Sequence, residues 1–182
     1  MNLLDVTIHS VTQGVRNMKF ENLEFTPMQK SDVEVLTPIM KRAFDEDSRL
    51  YFEKSEGGPD GYDDGSFLLK WGIEANSISY RVDSDEKTIG GIIVFIDKEK
   101  KEGALGCIFV DSNIEGKGFG STMWHFIENQ YPEIDVWHTE TPAVSYRNHC
   151  FYINKLGFHV VAVEGGRDNR FDAQFKFTKK IR

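Results

Sequence analysis

The sequence is poor in cysteine, with two among its 182 residues. Cys107 and Cys150 make neither a disulfide framework nor a metal-ligand spacing. His125 and His149 do not complete a recognisable site with either cysteine. We therefore expect reduced thiols, no bound metal and no thiol catalysis.

Long apolar runs and basic runs are also missing. No stretch approaches the roughly 20 apolar residues that cross a bilayer, and the N-terminus lacks the pattern of a secretion signal. The net charge is −7, and no run of lysine or arginine offers a patch for nucleic acid. We expect a cytoplasmic protein with neither a membrane nor a nucleic acid as partner.

The composition is sufficient for one domain. Hydrophobic residues make up 40% of the chain and include 14 phenylalanines and three tryptophans, enough to fill a core. Residues 1–17 lack clear periodicity, so we predict an N-terminal extension there, either disordered or adding a short strand. Residues 18–182 are predicted to form a single domain.

Acidic side chains are concentrated between Phe44 and Gly65, where only Arg49 and Lys54 oppose them. The segment is either a solvated, mobile loop or a wall that attracts a cationic small molecule. Its acidic residues are Asp45, Glu46, Asp47, Glu53, Glu56, Asp60, Asp63 and Asp64.

The order of predicted elements points to an α+β fold, a mixed sheet covered by helices. Ser31 and Glu34 form a capping-box pattern for a first helix, in which Pro38 predicts a kink or a second start at Thr37. Strands are predicted at 19–25, 77–82, 88–96, 105–110, 134–141, 158–164 and 170–178, and further helices at 67–74, 117–130 and 145–155.

The most informative stretch runs from Gly103 to Ser121. An apolar strand, Leu105–Val110, is followed by glycines at 116, 118 and 120 and then by an amphipathic helix. Small residues before a helix let backbone N–H groups approach an anion, which the positive end of the helix dipole favours. The pattern predicts either a phosphate cradle or a tight strand-to-helix connection.

Two motifs in this order resemble the GNAT superfamily of acyl-CoA-dependent N-acyltransferases. They are IEGKGFGS after Val110-Asp111 and, beyond the next strand, RNHCFYINKLGF. The resemblance covers most of 19–180. It implies a GNAT-like fold, whose mostly antiparallel sheet is splayed between strands 4 and 5, with helices on both faces and acetyl-CoA in the opening. It also implies an acetyltransferase.

The resemblance assigns residues to acetyl-CoA. Ile108 and Val110 would offer backbone groups to the pantetheine amides. Asn148 would hydrogen-bond the pantetheine arm, unless it satisfies its own backbone at a helix start. The pyrophosphate would be held by the backbone N–H groups of Gly116, Lys117, Gly118, Phe119, Gly120 and Ser121.

The first departure from the family pattern is Glu115, which stands where the family has glutamine or arginine. A carboxylate cannot donate to a phosphate, and it adds like charge. Lys117 is the residue that can offset it, as a point charge on a flexible stem. We expect the cradle to work mainly through main-chain donors, with somewhat weaker cofactor binding.

The second departure concerns the tyrosine that usually lies four residues before the glycine of the Gly-Phe pair. Here Ile153 lies four residues before Gly157, and Tyr152 lies five before. Either an insertion or local bulge places Tyr152 at the site, or the side chain packs in the core. The Phe151-Tyr152 order favours the insertion.

The chemistry of acyl transfer suggests roles for these residues. Tyr152 could protonate the departing thiolate, and the N–H of Val110 could stabilise the oxyanion. If the strand at 134–141 alternates, His138 and Glu140 share a face with Val136 and either could act as base. Each could instead be an ordinary surface side chain. Asp111 fits better as a residue that turns the chain.

The acceptor is predicted to be a primary amine on a small, cationic molecule, because the acidic segment also carries Tyr51, Phe52 and Tyr62. Two alternatives remain open. One is acetylation of a protein N-terminus or lysine, and the other is a non-catalytic acetyl-CoA-binding sensor. A homodimer is compatible with the family, but no feature of the sequence decides it.

Overall fold

The computed structural model describes residues 17–114 and 116–181. The predicted extension over residues 1–17 lies outside the described residues except for Asn17, and the domain boundary therefore stays a prediction. Within the described part, no helix has both the length and the apolar character needed to span a membrane.

One mixed sheet organises the described residues. Its eight strands lie in the order β1-β2-β3-β4-β5-β6-β8-β7, and all neighbours are antiparallel except β5 and β6. This confirms the predicted α+β class. The strands are β1 (Met18–Phe20), β2 (Leu23–Pro27), β3 (Ile78–Ser84), β4 (Lys87–Asp97), β5 (Glu102–Val110), β6 (Val136–Pro142), β7 (His159–Glu164) and β8 (Gln174–Lys180).

The first strand was predicted as one element over 19–25, and that prediction is wrong. Phe20 pairs with Leu23, so the chain reverses in a two-residue turn and β1 lies antiparallel to β2. Glu21 takes a left-handed backbone conformation at φ 53° to make this turn. The polar pair Glu21-Asn22 was the available signal, since asparagine is a frequent turn residue.

Three α-helices accompany the sheet: α1 (Val33–Tyr51), α2 (Phe119–Gln130) and α3 (Tyr146–Cys150). Two wider, π-type segments occupy Leu68–Glu74 and Phe151–Lys155, the latter continuing α3. Short 3₁₀ turns lie at Lys30–Asp32, Ser112–Ile114 and Arg170–Asp172.

The start of the first helical region differs from the prediction. Gln29 and Asp32 form the capping box, and the Gln29 N–H donates to the Asp32 carboxylate at 2.8 Å. The pair Ser31 and Glu34 does not make it. Pro38 lies inside α1, which continues as one helix to Tyr51 and does not restart at Thr37.

The hydrophobic core has two parts, one on each face of the sheet. On one face, Trp124 and Phe126 of α2 pack with Ile92 of β4. On the other face, Met40 of α1 packs with Ile93. Because Ile92 and Ile93 are neighbours in β4, the alternation of the strand supplies both parts. The predicted placement of helices on both faces is confirmed.

The sheet opens between β5 and β6. These strands pair only at their starts, where residues 102–104 of β5 lie beside residues 136–138 of β6. Beyond this point β6 continues its pairing with β8 as far as Pro142. Since the predicted first strand is divided into β1 and β2, β5 and β6 are the fourth and fifth strands of the expected fold. The expected splay is confirmed.

A bulge in β5 lies where the strands begin to part. Ile93 pairs with Cys107 and Val94 with Leu105, so Gly106 is the extra residue. A bulge bends its strand and increases the local twist. A Cβ at Gly106 would lie 2.7 Å from the Phe95 ring, so this position has no room for a side chain.

Candidate active site

A cavity of about 1440 Å³ occupies the opening between β5 and β6. Every predicted cofactor-binding residue lines it, and so do Tyr152 and Glu140. His138 is not among the lining residues. Side chains from α1, β5, the glycine loop, β6 and α3 therefore meet around one space, although they are far apart in the sequence.

The glycine loop gives the cavity a surface of backbone amides. Gly116 and Gly118 both have φ +82°, and a Cβ at either would meet nothing within 4 Å. The backbone conformation, and not crowding, therefore requires glycine at these two positions. An added side chain would stand in open space beside the start of α2.

The amides at the start of α2 have no acceptor within the helix. The first intrahelical bond runs from the Thr122 N–H to the Gly118 carbonyl at 3.1 Å. The N–H groups of Phe119, Gly120 and Ser121 precede it and can donate outward. The helix dipole adds partial positive charge at this end. The arrangement of amides fits a diphosphate. Glu115, which we expected to weaken cofactor binding, lies outside the described residues.

Gly120 has a different reason to be glycine. A Cβ there would lie 3.1 Å from the Phe151 ring. Its absence lets α2 approach the continuation of α3 closely. The two predicted motifs therefore touch each other directly beside the cavity.

The open edge of β5 also presents amides. The Asp111 N–H donates to the carbonyl of Ile89, a residue of β4, at 2.8 Å. Successive amides of a strand point to opposite sides, so the N–H groups of Ile108 and Val110 point away from β4. They point to the side where β6 has parted, which is the position expected for both residues.

Tyr152 reaches the cavity through the widened helix turn. The Leu156 N–H bonds to the Phe151 carbonyl five residues earlier, at 3.1 Å. This π-type turn accommodates one extra residue, and such turns are frequent at functional sites. The Tyr152 side chain lines the cavity while its ring packs against Phe158 and Phe177. The structure thus contains the local bulge that one prediction required.

The environment of Tyr152 keeps its phenol protonated. Burial raises the pKa of the Tyr152 hydroxyl well above its usual range, and the neighbouring Cys107 adds to this shift. A hydrogen bond with the Thr139 side chain opposes this shift in pKa. The pKa of Cys107 itself is raised to about 12 by burial. At neutral pH both groups therefore carry their protons.

Strand β6 alternates as predicted. His138 and Glu140 are exposed, whereas Trp137, Thr139 and Thr141 are buried. His138 Nδ1 lies 3.1 Å from Thr178 Oγ1 and stays outside the cavity lining. Glu140 lines the cavity but forms an ion pair with Lys176. The structure does not bring these two candidate bases together.

The opposite, buried face of β6 contributes threonines that the sequence analysis passed over. Thr139 Oγ1 donates to the Leu105 carbonyl at 3.0 Å, close to the point where the strands part. Thr141 Oγ1 accepts from Asn148 Nδ2 at 3.2 Å. Asn148 thus contacts β6 and does not cap α3, whose N-cap residue is Ser145. The signal available in the sequence was that Thr139 and Thr141 alternate with His138 and Glu140 along the strand.

The acidic segment is helical only in its first part, where α1 extends as far as Tyr51. Residues 52–65 form a connection of bends and turns, as the loop alternative predicted. Asp45 accepts from Lys41 Nζ and from the Tyr62 hydroxyl, both at 2.7 Å. Glu46 pairs with Arg49 at 2.7 Å. Structural ion pairs therefore account for much of the clustered charge.

Two acids of this segment do line the cavity, Asp47 and Glu56. Aromatic side chains surround the same space, among them Phe44, Phe52 and Trp71. The Asp47 carboxylate accepts from the Ser145 hydroxyl at 2.9 Å and lies 3.5 Å from the Arg147 guanidinium. Burial raises the pKa of Asp47 above its usual range.

Asp111 turns the chain, as the sequence favoured. Its carboxylate accepts from Arg42 Nε at 3.0 Å and from the Asn113 N–H at 3.1 Å. The Arg42 guanidinium lowers the pKa of the Asp111 carboxyl.

In the described ranges, no three His, Cys, Asp or Glu side chains group as a metal ion would require.

The sequence model of the Acetyltransferase (GNAT) family matches residues 40–158. The chain therefore belongs to the GNAT family of acetyltransferases. The matched range contains α1 from Met40 onward, the parted strands, the glycine loop and Tyr152.

We compare the chain with two of the solved structures that share this fold. The chain is similar to a PaiA N-acetyltransferase from Thermoplasma acidophilum in complex with coenzyme A, with a TM-score of 0.69 and 16% identity over 87% of this chain and 98% of that one. It is also similar to a spermidine N-acetyltransferase from Vibrio cholerae in complex with CoA and spermine, with a TM-score of 0.62 and 14% identity over 87% and 95%. At these identities the likeness shows the fold alone.

A curated relative is closer in sequence. An uncharacterised protein of Bacillus subtilis (strain 168), YrkN, is 36% identical over 85 residues. The match covers 47% of this chain and 46% of YrkN, so the chain spans about half the length of that relative.

Proposed function

We propose that this acetyltransferase transfers an acetyl group from acetyl-CoA to a primary amine of a small, cationic acceptor. The observation that carries the proposal is the single cavity in the splayed sheet. Amides of the glycine loop, the Tyr152 side chain, and the acids and aromatics beside α1 all line it. Donor and acceptor could therefore meet in one space.

The donor end fits acetyl-CoA. The amides of Phe119, Gly120 and Ser121 would hold the diphosphate, helped by Lys117, whose side chain is exposed at the same loop. The amides of Ile108 and Val110 would hold the pantetheine arm along the open edge of β5. Asn148 would close the arm from the side of α3. When bound, acetyl-CoA supplies an acetyl group activated as a thioester.

The chain supplies a proton donor and an oxyanion donor. Tyr152 would donate its phenolic proton to the departing sulfur, since its pKa keeps it protonated at neutral pH. The Val110 N–H would hydrogen-bond the carbonyl oxygen as negative charge develops on it. His138 lies outside the cavity lining, and the Glu140 side chain is 59% exposed to solvent and paired with Lys176. Neither is proposed as the base.

The acceptor end favours a positively charged amine. Asp47 and Glu56 place negative charge in a cavity that is otherwise rich in aromatic side chains, and aromatic faces attract cations. The fold likeness to a spermidine N-acetyltransferase is in keeping with this class of acceptor. The cytoplasmic location implied by the composition also remains a prediction.

The test is thiol release from acetyl-CoA with a panel of amines. The panel contains spermidine, an aminoglycoside, a neutral amino acid and a peptide N-terminus. We expect turnover to be fastest with the two polycations. Equal rates across the panel would refute the preference for cations. Binding of acetyl-CoA without turnover of any amine would favour the sensor alternative.

A further inference from the structure

The Asp47 carboxylate lines the cavity but has no role in the reaction steps proposed above. Asp47 lies four residues before the end of α1, and its side chain is only 14% exposed. Its two oxygens lie 3.0 and 2.9 Å from the hydroxyl of Ser145, which is fully buried. The carboxylate is therefore fixed in orientation and largely removed from water, although it lines the cavity.

Asp47 differs in this respect from the other acids that line the cavity among the described residues. All three acids have a cationic neighbour: Arg147 beside Asp47, Lys41 beside Glu56 and Lys176 beside Glu140. They differ in exposure, which is 14% for Asp47, 67% for Glu56 and 59% for Glu140. Solvent and salt screen exposed charges strongly, whereas buried charges are screened much less. An ammonium group in the cavity would accordingly interact most strongly with Asp47.

Asp47 shares the cavity with the proposed proton donor. Burial is the main cause that raises the pKa of the Tyr152 hydroxyl, and the Asp47 carboxylate adds a smaller contribution. Both side chains line the same cavity. An acceptor nitrogen held by Asp47 would therefore lie in the same cavity as the phenol that serves the leaving sulfur.

From this geometry we infer that Asp47 binds the acceptor ammonium and removes its proton. The inference rests on the proposed function, because it names the base of that same reaction. On this inference, the preference for a cationic acceptor comes from one buried carboxylate and not from the charge of the acidic segment as a whole. Glu56 would contribute only weak, screened attraction.

The proton balance of the step is complete. One proton passes from the ammonium to the Asp47 carboxylate, which leaves a neutral amine with a lone pair. The nitrogen–carbon bond forms while the carbon–sulfur bond breaks. Tyr152 gives its proton to the sulfur and regains one from the acylated nitrogen. Asp47 then releases the first proton to solvent, so the reaction yields amide, thiol and one proton.

The alternative is that Asp47 only ties α1 to the start of α3 through Ser145. The variant Asp47→Asn separates the two roles, because an amide oxygen still accepts from the Ser145 hydroxyl but cannot take a proton. Asp63→Asn is the matched control, since Asp63 is an exposed acid of the same segment that does not line the cavity. Asp47→Glu keeps the carboxylate and provides a second, charge-conserving variant.

The measurements are kcat as a function of pH with the amine panel, binding of CoA by calorimetry, and thermal unfolding. We expect Asp47→Asn to lower kcat about 100-fold, the usual scale for a lost general base. Binding of CoA and the unfolding temperature should stay close to those of Asp63→Asn. Asp47→Glu should recover part of kcat.

The pH profile provides a readout that a structural role would not change. The base must be ionised, so wild-type kcat should fall on the acid side, and the raised pKa of Asp47 moves this fall above the usual aspartate range. The groups that face Asp47 are Ser145, Arg147, His149 and Tyr152. In Asp47→Asn the part of the acid limb that comes from Asp47 should disappear, which leaves only the fall caused by protonation of the acceptor amine itself. An acid limb that is identical in the variant and the wild type overturns the assignment.

The remaining outcomes are also decisive. Unchanged kcat in Asp47→Asn would overturn the role of Asp47 and leave the proposed function intact. A joint loss of CoA binding and unfolding temperature, with no recovery in Asp47→Glu, would show that the residue is structural. Failure of the wild type to acetylate any amine of the panel would instead overturn the proposed function itself.

Discussion

Replacing Gly118 with alanine should weaken coenzyme A binding without comparable damage to the fold. At φ +82° a side chain is strained, but its Cβ would meet nothing within 4 Å. The strain of a left-handed residue is about 1–2 kcal/mol. The new methyl group would stand beside the amides that we assign to the diphosphate.

The expected loss of affinity follows from the bonds at risk. A hydrogen bond to a charged group contributes about 1.5–3 kcal/mol. Displacing the diphosphate from one amide should therefore raise the Kd for CoA about 10- to 150-fold. Isothermal titration calorimetry on the purified protein measures this change directly.

The chain offers a matched control for the strain. Gly157 has φ +78°, and a Cβ there would approach only the end of the Lys179 side chain, at 3.8 Å. Gly157→Ala should lose about as much unfolding free energy as Gly118→Ala while it keeps CoA affinity, since Gly157 does not line the cavity. Equal CoA affinities in the two variants would refute the cradle.

Three further predictions concern the site and the core. Tyr152→Phe keeps the buried ring and should lower kcat about 100-fold in the thiol-release assay with CoA binding unchanged, because it removes the proton donor; unchanged kcat would exclude this role. Arg42 lowers the pKa of Asp111, so the pair should stabilise the fold above the ordinary aspartate pKa and lose this effect as the pH falls through the lowered pKa. Since Arg42 is 41% exposed, Arg42→Ala should cost at most about 1 kcal/mol at neutral pH and nothing at low pH in denaturant titrations; an equal cost at both would contradict the ionic origin. Phe126 is buried and stacked on Phe25 at 3.7 Å, so Phe126→Ala should cost about 3–5 kcal/mol of unfolding free energy by chemical denaturation, and a cost below 1 kcal/mol would contradict the packing.

Local patterns predicted most of the strands and helices and the glycine loop, but they missed the turn that divides β1 from β2. The splay of the sheet was expected from the family resemblance and not from local patterns. The loop was recognisable because positions 116 and 118 need a positive φ, and glycine is the residue that adopts it readily. The alternation of β6 was equally visible, since burial changes with every residue along the strand. Such features depend on neighbours in the chain.

Other features depend on contacts that local patterns do not encode. Asp47 is held by Ser145, 98 residues later, so nothing near it in the sequence distinguishes it from the other acids of its segment. The same limit applies to Thr139, whose partner Leu105 lies on another strand. The spacing of Tyr152 from Gly157 did announce an irregular turn, but only the hydrogen bonds show that the turn is a π-type widening.

The most direct test of the account is a crystal structure with coenzyme A bound. We expect the diphosphate at the amides of residues 118–121, the pantetheine arm along the open edge of β5, and the sulfur within hydrogen-bond reach of the Tyr152 hydroxyl. A cofactor bound outside the opening between β5 and β6, or a sulfur remote from Tyr152, would contradict it.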